Sequence, residues 1–210
     1  MTTLSLIPIF ISSIALIISI LAIILNNLIP FDPQITNSSP EFSIYKITPD
    51  MSGDENKLTW WIPSFNIGFS MYNLGRRTGK IKDFRIVAEI LQDRTTNLLY
   101  FYPKWIVDFP KFQQNQTRRF TWISKAVISD WYPVMMFGNK DLKMHLILEG
   151  PRWENTFEGI MKLKIEYVSS KKDKWILLDN YELPLSKDMF EDESTYTPFD
   201  NSIEKYRKLN

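Results

Sequence analysis

The sequence predicts a mainly β protein: a single N-terminal transmembrane helix followed by an antiparallel β-sandwich. Three observations predict it. An uncharged apolar run occupies Leu4 to Leu25. Beyond it, short segments rich in aliphatic and aromatic residues alternate apolar with polar, with turn signals between them. No amphipathic helical period of ten or more residues separates those segments, which argues against a parallel α/β sheet.

The run LSLIPIFISSIALIISILAIIL would span about 33 Å as a helix at about 1.5 Å per residue, close to the roughly 30 Å hydrocarbon core of a bilayer. A helix buried in a soluble domain is rarely apolar on every face. A cleaved signal peptide is the rival reading. It calls for a basic n-region, a shorter apolar stretch and a small-x-small cleavage site. Met1 to Ser5 holds no Lys or Arg, and the exit NNLIPFDP has no convincing site. Residues 1–28 are therefore expected to remain as an anchor in the lipid bilayer.

Within the anchor, Ser5, Pro8, Ser12, Ala15, Ser19, Ala22 and Asn26 recur at alternating spacings of 3 and 4. That spacing lines small and polar residues along one face. In lipid, helices associate where small side chains allow close approach, and a 3.5-residue period suits a left-handed helix pair. The stripe predicts an integral membrane protein partner or a homo-oligomer. The plainer alternative is a simple anchor whose Ser hydroxyls bond back to their own helix.

Orientation has little to count, because the first Lys is Lys46. A short N-terminal tail and a cation-free flank favour a cytoplasmic N-terminus and an extracytoplasmic C-terminal domain at the cell membrane. Asn-x-Ser/Thr sequons at Asn37 and Asn115 are compatible with that placement.

Residues 26–40 hold three Pro, three Asn and the consecutive Ser38 and Ser39, and residues 29–40 read as a semi-rigid stalk. Residues 41–186 carry the strand candidates: 41–47, 65–73, 81–92, 98–109, 144–150, 157–169 and 174–185. Ile67, Phe69 and Met71 share one face, as do Phe84, Ile86, Ala88 and Ile90. Pro103 predicts an edge or a bulge in its strand. Residues 120–140 are ambiguous between a short helix and an irregular crossover, and a more open α+β sheet is the alternative architecture. Residues 187–210 read as a polar C-terminal tail.

The run MYNLGRRTGKIKDFRI resembles the strand–turn–strand pattern of immunoglobulin-like modules on membrane-anchored prokaryotic proteins. The resemblance implies that Asn73 ends a strand and that Gly75 and Gly79 shape a hairpin, with positive φ available to both. It implies an immunoglobulin-like sandwich and no function.

Charge and composition exclude several chemistries. Lys plus Arg number 25 against 24 Asp plus Glu, a net +1 that offers no nucleic-acid surface. With no Cys there is no disulfide, zinc–thiolate site or thiol nucleophile. His145 is the single histidine. With Met135, Met136 and Met144 it would suit Cu(I) chemically, but the spacing is unspecific and a packed strand histidine is the plainer reading. No nucleophile elbow, phosphate loop or dinucleotide fingerprint occurs. The expectation is a protein that is not an enzyme, with no catalytic residues, cofactor or metal.

Trp60, Trp61, Trp131, Tyr132 and Trp153 lie near Pro and Gly. They would either anchor a partner or ligand or plug the ends of the sandwich core. The function expected is a non-catalytic accessory subunit whose β-domain contacts partners in a membrane complex. The alternative is a tethered surface module that binds glycan or peptide, and a small membrane enzyme or copper protein comes third.

Overall fold

The computed structural model describes residues 6–48, 59–92, 95–114, 120–156, 158–191 and 195–200. In chain order the elements are α1 (Leu6–Leu28), β1 (Pro33–Asn37), β2 (Glu41–Ile47), β3 (Trp60–Asn73), β4 (Gly79–Gln92), β5 (Thr95–Val107), α2 (Phe109–Gln114) and α3 (Phe120–Ala126). There follow β6 (Val127–Asp130), β7 (Val134–Met136), β8 (Asp141–Glu149), β9 (Gly159–Ser169), β10 (Ile176–Leu185), β11 (Thr195–Tyr196) and β12 (Phe199–Asp200). A single 3-10 turn at Lys187–Phe190 precedes β11.

The protein is mainly β, and its strands form one antiparallel curled sheet in the order β11-β2-β3-β8-β5-β4-β9-β10-β12. The sheet curls so that its two halves face one core, and it is continuous through β5 where a sandwich was expected. Ile86 to Gln92 of β4 pair with Thr95 to Phe101, the first half of β5. The second half, Tyr102 to Val107, pairs with β8. The register shifts between Pro103 and Trp105. Proline cannot donate to the ladder, and a bulge increases local twist, so the strand turns its corner there and passes from one layer to the other. The predicted irregularity at Pro103 is thus real, inside the sheet and not at its edge.

Alternation sets the core. Phe65, Ile67, Phe69 and Met71 of β3 face Phe84, Ile86, Ala88 and Ile90 of β4, all buried. The rings of Phe69 and Phe84 stack at 4.2 Å. Strands β3 and β4 do not pair with each other; β3 pairs with β1, β2 and β8, and β4 with β5, β7 and β9. Residues 73–80 therefore cross between layers, where a hairpin was expected. The reason is that both strands turn the same kind of apolar face toward one shared core.

Two segments read as peripheral belong to the domain. Residues 29–40, expected as a stalk, contribute Phe31 to the core and pair with β3 from Pro33↔Asn73 to Asn37↔Phe69. Residues 187–200, expected as tail, bury Met189 and Phe190. They also supply β11 to the β2 edge and β12 to the β10 edge. One short segment thus fastens both margins of the sheet. Residues 120–140 resolve into α3, β6 and β7. Helices α2 and α3 lie on the outer face of the first layer, where Ile123 and Ala126 pack with Tyr45, Val107 and Ile147.

Helix α1 is 23 residues long and carries no acidic residue in its first turn and no basic residue in its last. Its described side chains, residues 8–24 and 28, are all exposed. Among the described residues no helix is long and apolar enough to cross a membrane. The unbroken run of described side chains, residues 8–24, is shorter than α1, whose backbone helix runs from Leu6 to Leu28.

Candidate functional site

The first candidate is the junction between α1 and the sheet. Asn73 ends β3, is fully buried, and uses both ends of its amide. Its Oδ1 accepts the backbone N–H of Asp32 at 3.1 Å and that of Gly75 at 2.9 Å. Its Nδ2 donates to Arg77 O at 2.9 Å and to Phe137 O at 3.2 Å. The helix exit, the 73–80 crossing and the turn after β7 are therefore held by one side chain. Burial is tolerated because every donor and acceptor finds a partner.

Backbone bonds reinforce the junction. Ile29 O accepts the N–H groups of Arg76 and Arg77, each at 3.2 Å. Leu74 N donates to Asp32 O at 3.0 Å. Gly75 and Gly79 matter here for a reason other than the one expected. Among the described glycines, positive φ occurs at Gly159 only. A Cβ at Gly75 would overlap Pro30 O, and one at Gly79 would overlap the Phe31 ring. Both glycines permit close approach of the helix exit. Lys171, from the β9–β10 loop, closes the junction with an ion pair to Asp32.

Of the predicted stripe, Pro8, Ser12, Ala15, Ser19 and Ala22 lie exposed along α1. Ser5 lies outside the described residues, and Asn26 is helical with no described side chain. Ser12 Oγ donates to Pro8 O and Ser19 Oγ to Ala15 O, both at 2.8 Å. The hydroxyl protons are thus used inside the helix, and what the stripe offers a neighbour is low bulk.

The predicted aromatics divide. Trp153 is 5% exposed and packs with Phe42 and Phe190. Trp61 is bridged to Trp153 through the backbone, and its Nε1 donates to Phe190 O at 2.9 Å. Trp131 packs edge-on against Phe84 at 5.7 Å and donates to the Asp83 carboxyl, which half-burial pushes up from its ordinary pKa. These three plug the core. Trp60 is half-buried beneath Arg152, whose Cζ is 5.5 Å from its ring centroid. Tyr132 is the one fully on the surface, at 57% exposure.

Sequence reasoning missed a cleft of about 310 Å³ on the outer face of β3. Thr36, Ser38, Gly68, Ser70, Lys143 and His145 line it. Gly68 opposes His145 across the β3–β8 ladder. A Cβ at position 68 would stand 2.6 Å from His145 Cε1, so the glycine leaves room for the imidazole. Phe109 of α2 stacks on the other face of the ring at 4.0 Å, 5° from parallel. His145 Nδ1 is buried without a hydrogen-bond partner, as is Asn66 Oδ1; Asn66 Nδ2 donates to Glu41 Oε2 at 3.1 Å. Burial pushes the His145 pKa below its ordinary value, against the opposing charge of Glu41. A neutral imidazole beside an ammonium and three hydroxyls suits recognition of a small polar group. Among the described residues no hydroxyl is hydrogen-bonded to His145, so the arrangement lacks an activated nucleophile. Met144 and Met136 lie in the core, on the opposite face from His145. The thioether and imidazole set therefore does not converge on one point.

No protein-family profile matches the chain. No curated protein matches it. Among solved structures, it is similar to target SoR45 of the Northeast Structural Genomics Consortium, at 10% identity over 72% of this chain and 84% of that one, with a TM-score of 0.30. It is also similar to a protein assigned as ApaA of Bordetella pertussis, at 7% identity over 82% of this chain and 96% of that one, with a TM-score of 0.27. Likeness at that level assigns neither fold nor function to this chain.

Proposed function

We propose that the protein is a non-catalytic, single-pass membrane subunit whose β-domain is held at the bilayer surface, outside the cytoplasm, to contact partners in a membrane complex. The observation that carries this reading is the division of labour at the junction. Helix α1 gives none of its described side chains to the domain core, yet its exit is bonded into that core through Asn73. Over its whole backbone, Leu6–Leu28, α1 is uncharged and about 35 Å long, a length comparable with the roughly 30 Å hydrocarbon layer. Exposed Ile and Leu side chains run along it, including Ile11, Leu16, Ile18 and Ile23. In water that surface is a liability; in lipid it is matched to its solvent.

The small-residue stripe is the face proposed to meet another membrane helix, identical or different. The domain is proposed to act as an immunoglobulin-like module, a layered β-domain displayed at a membrane.

The test is alkaline-carbonate extraction of membranes containing the full chain, compared with the double variant Leu16→Arg and Ile20→Arg. Each charge near a helix centre costs about 2.5–3.5 kcal/mol of insertion free energy. The wild-type chain is expected in the membrane pellet and the variant in the supernatant. A wild-type chain that leaves with the carbonate sinks the reading. Protease added outside intact cells is expected to digest the β-domain; a fully protected domain would reverse the orientation.

A second reading has one observation in its favour. The His145 cleft is the size of a small polar ligand, which suits a tethered binding module for a glycan or peptide. Calorimetric titration with short glycans and peptides distinguishes the two, because a helix-docked subunit without a ligand returns no heat.

A further inference from the structure

We infer that the loops around the helix exit form a lipid-contacting rim that takes up anionic phosphate headgroups. The inference rests on the membrane-anchor reading above and adds a surface and a ligand class to it. Its geometry starts from Ile29, one residue past the end of α1. If α1 fills the hydrocarbon layer, Leu28 and Ile29 stand at headgroup depth. The backbone N–H groups of Arg76 and Arg77 bond to Ile29 O, each at 3.2 Å, so both arginines stand at that depth too. Their side chains are exposed. A guanidinium matches a phosphate with paired N–H donors, and its stem reaches across an interface while its head stays with the polar groups.

Apolar side chains sit beside these cations. Leu74 is 51% exposed and Phe137 61%. Phe137 is fixed at the same level, because its carbonyl accepts from the Asn73 amide that also holds Asp32. The β9–β10 loop joins the same end of the domain: Ser170 N donates to Lys80 O at 2.8 Å, and Lys80 N to Ser170 Oγ at 2.9 Å. It brings exposed Lys172. Two neighbouring carboxylates are answered, since Asp32 pairs with Lys171 and Asp173 with Lys82. Arginine and lysine interleaved with a leucine and a phenylalanine is the composition of a surface that lies at headgroup level on anionic lipid. A protein partner would equally favour exposed aromatics, but it would have to occupy the depth that the Ile29 bonds assign to lipid.

The experiment uses the full chain in vesicles. The sequence has no Cys, so Thr78→Cys takes a single environment-sensitive fluorophore beside Arg77. A separate Thr48→Cys protein serves as the distant reference. Thr48 follows the end of β2 that pairs with Trp60, at the opposite end of β3 from Asn73, about 43 Å away at about 3.3 Å per strand residue. Vesicles are phosphatidylcholine alone or with phosphatidylglycerol, and carry a headgroup spin label. The expected result is strong quenching at position 78 and none at 48. Quenching at 78 should be stronger with phosphatidylglycerol, and the double variant Arg76→Glu and Arg77→Glu should abolish that gain. A chain that pellets with the vesicles but shows equal, weak quenching at both positions overturns the rim and leaves the anchor standing. Equal quenching at 78 in both lipids overturns the anionic preference. A chain that stays in the supernatant overturns both readings.

Discussion

The backbone N–H of Asp32 donates to Oδ1 of Asn73 at 3.1 Å, across 41 positions of sequence. This bond joins the exit of α1 to the last residue of β3, and it makes the helix and the sheet one mechanical unit. The same amide bonds Gly75, Arg77 and Phe137. A flexible linker would let α1 and the sheet reorient freely; this junction fixes the helix exit against the end of β3.

Asn73→Ala removes four hydrogen bonds at a fully buried position and strands two backbone N–H groups and two carbonyls. The expected loss is about 2–4 kcal/mol, because unsatisfied buried groups cost about 1–3 kcal/mol each and some relax toward solvent. Thermal unfolding in detergent micelles measures it. Asn73→Asp should also destabilise, since it keeps both acceptor bonds and turns a carboxylate toward the carbonyls of Arg77 and Phe137. Melting curves that superimpose on wild type would refute the role assigned to Asn73.

Gly75→Ala places a methyl group against Pro30 O. The strain falls on the helix exit and not on the β4–β9 ladder. Amide exchange of Asp32, Arg76 and Arg77 should quicken by an order of magnitude or more, as local opening becomes cheaper, while the amides of Ile86 and Ile165 stay protected. Uniform acceleration across both regions would mean that the junction and the sheet do not open separately.

His145 makes stability depend on pH in a stated direction. Burial lowers its folded-state pKa below the ordinary 6.5, against the field of Glu41. Between those two values the unfolded chain holds more protons than the folded one, so stability rises with pH through the window and is lost as pH falls through it. His145→Phe keeps a ring to stack on Phe109 and removes the titration. Wild type should lose melting temperature from pH 7.5 to 5.5, and His145→Phe should lose less. Parallel slopes for the two proteins would assign the acid sensitivity elsewhere.

Ala15→Leu with Ser19→Leu adds bulk to the stripe and leaves α1 uncharged. The expected outcome is loss of the partner helix, seen as a shift from complex to single chain in mild detergent, with the melting of the β-domain unchanged. Ile17→Leu, off the stripe, should leave the complex intact. If bulk at 15 and 19 changes nothing in the size profile, the stripe has no docking role.

The strands were legible because alternation survives in the sequence wherever one face is buried. Ile67, Phe69 and Met71 announce their face without help, and so do Phe84, Ile86, Ala88 and Ile90. The exit segment was not legible. Its Pro and Asn content is that of a linker, and its strand character comes from pairing with β3 more than thirty residues away. Asn73 was readable as a strand end, while its four bonds depend on loops that only the fold brings together. His145 was readable as a strand residue opposite in facing to Met144. Its cleft was not, because Gly68 and Phe109 reach it from β3 and α2. Indole rings near proline could be read either as surface anchors or as plugs of the core; Trp61, Trp131 and Trp153 are drawn inward by Phe190, Phe84 and Phe42.

Residues 195–200 bind opposite margins of the curled sheet, Thr195 beside Ser43 and Phe199 beside Glu182. During synthesis both margins stay open until this clasp has emerged, by which time α1 has long left the ribosome. For that interval the nascent sheet presents two unpaired rows of amides, the condition in which strands recruit foreign chains. Closure of both edges at once would then coincide with arrival of the clasp.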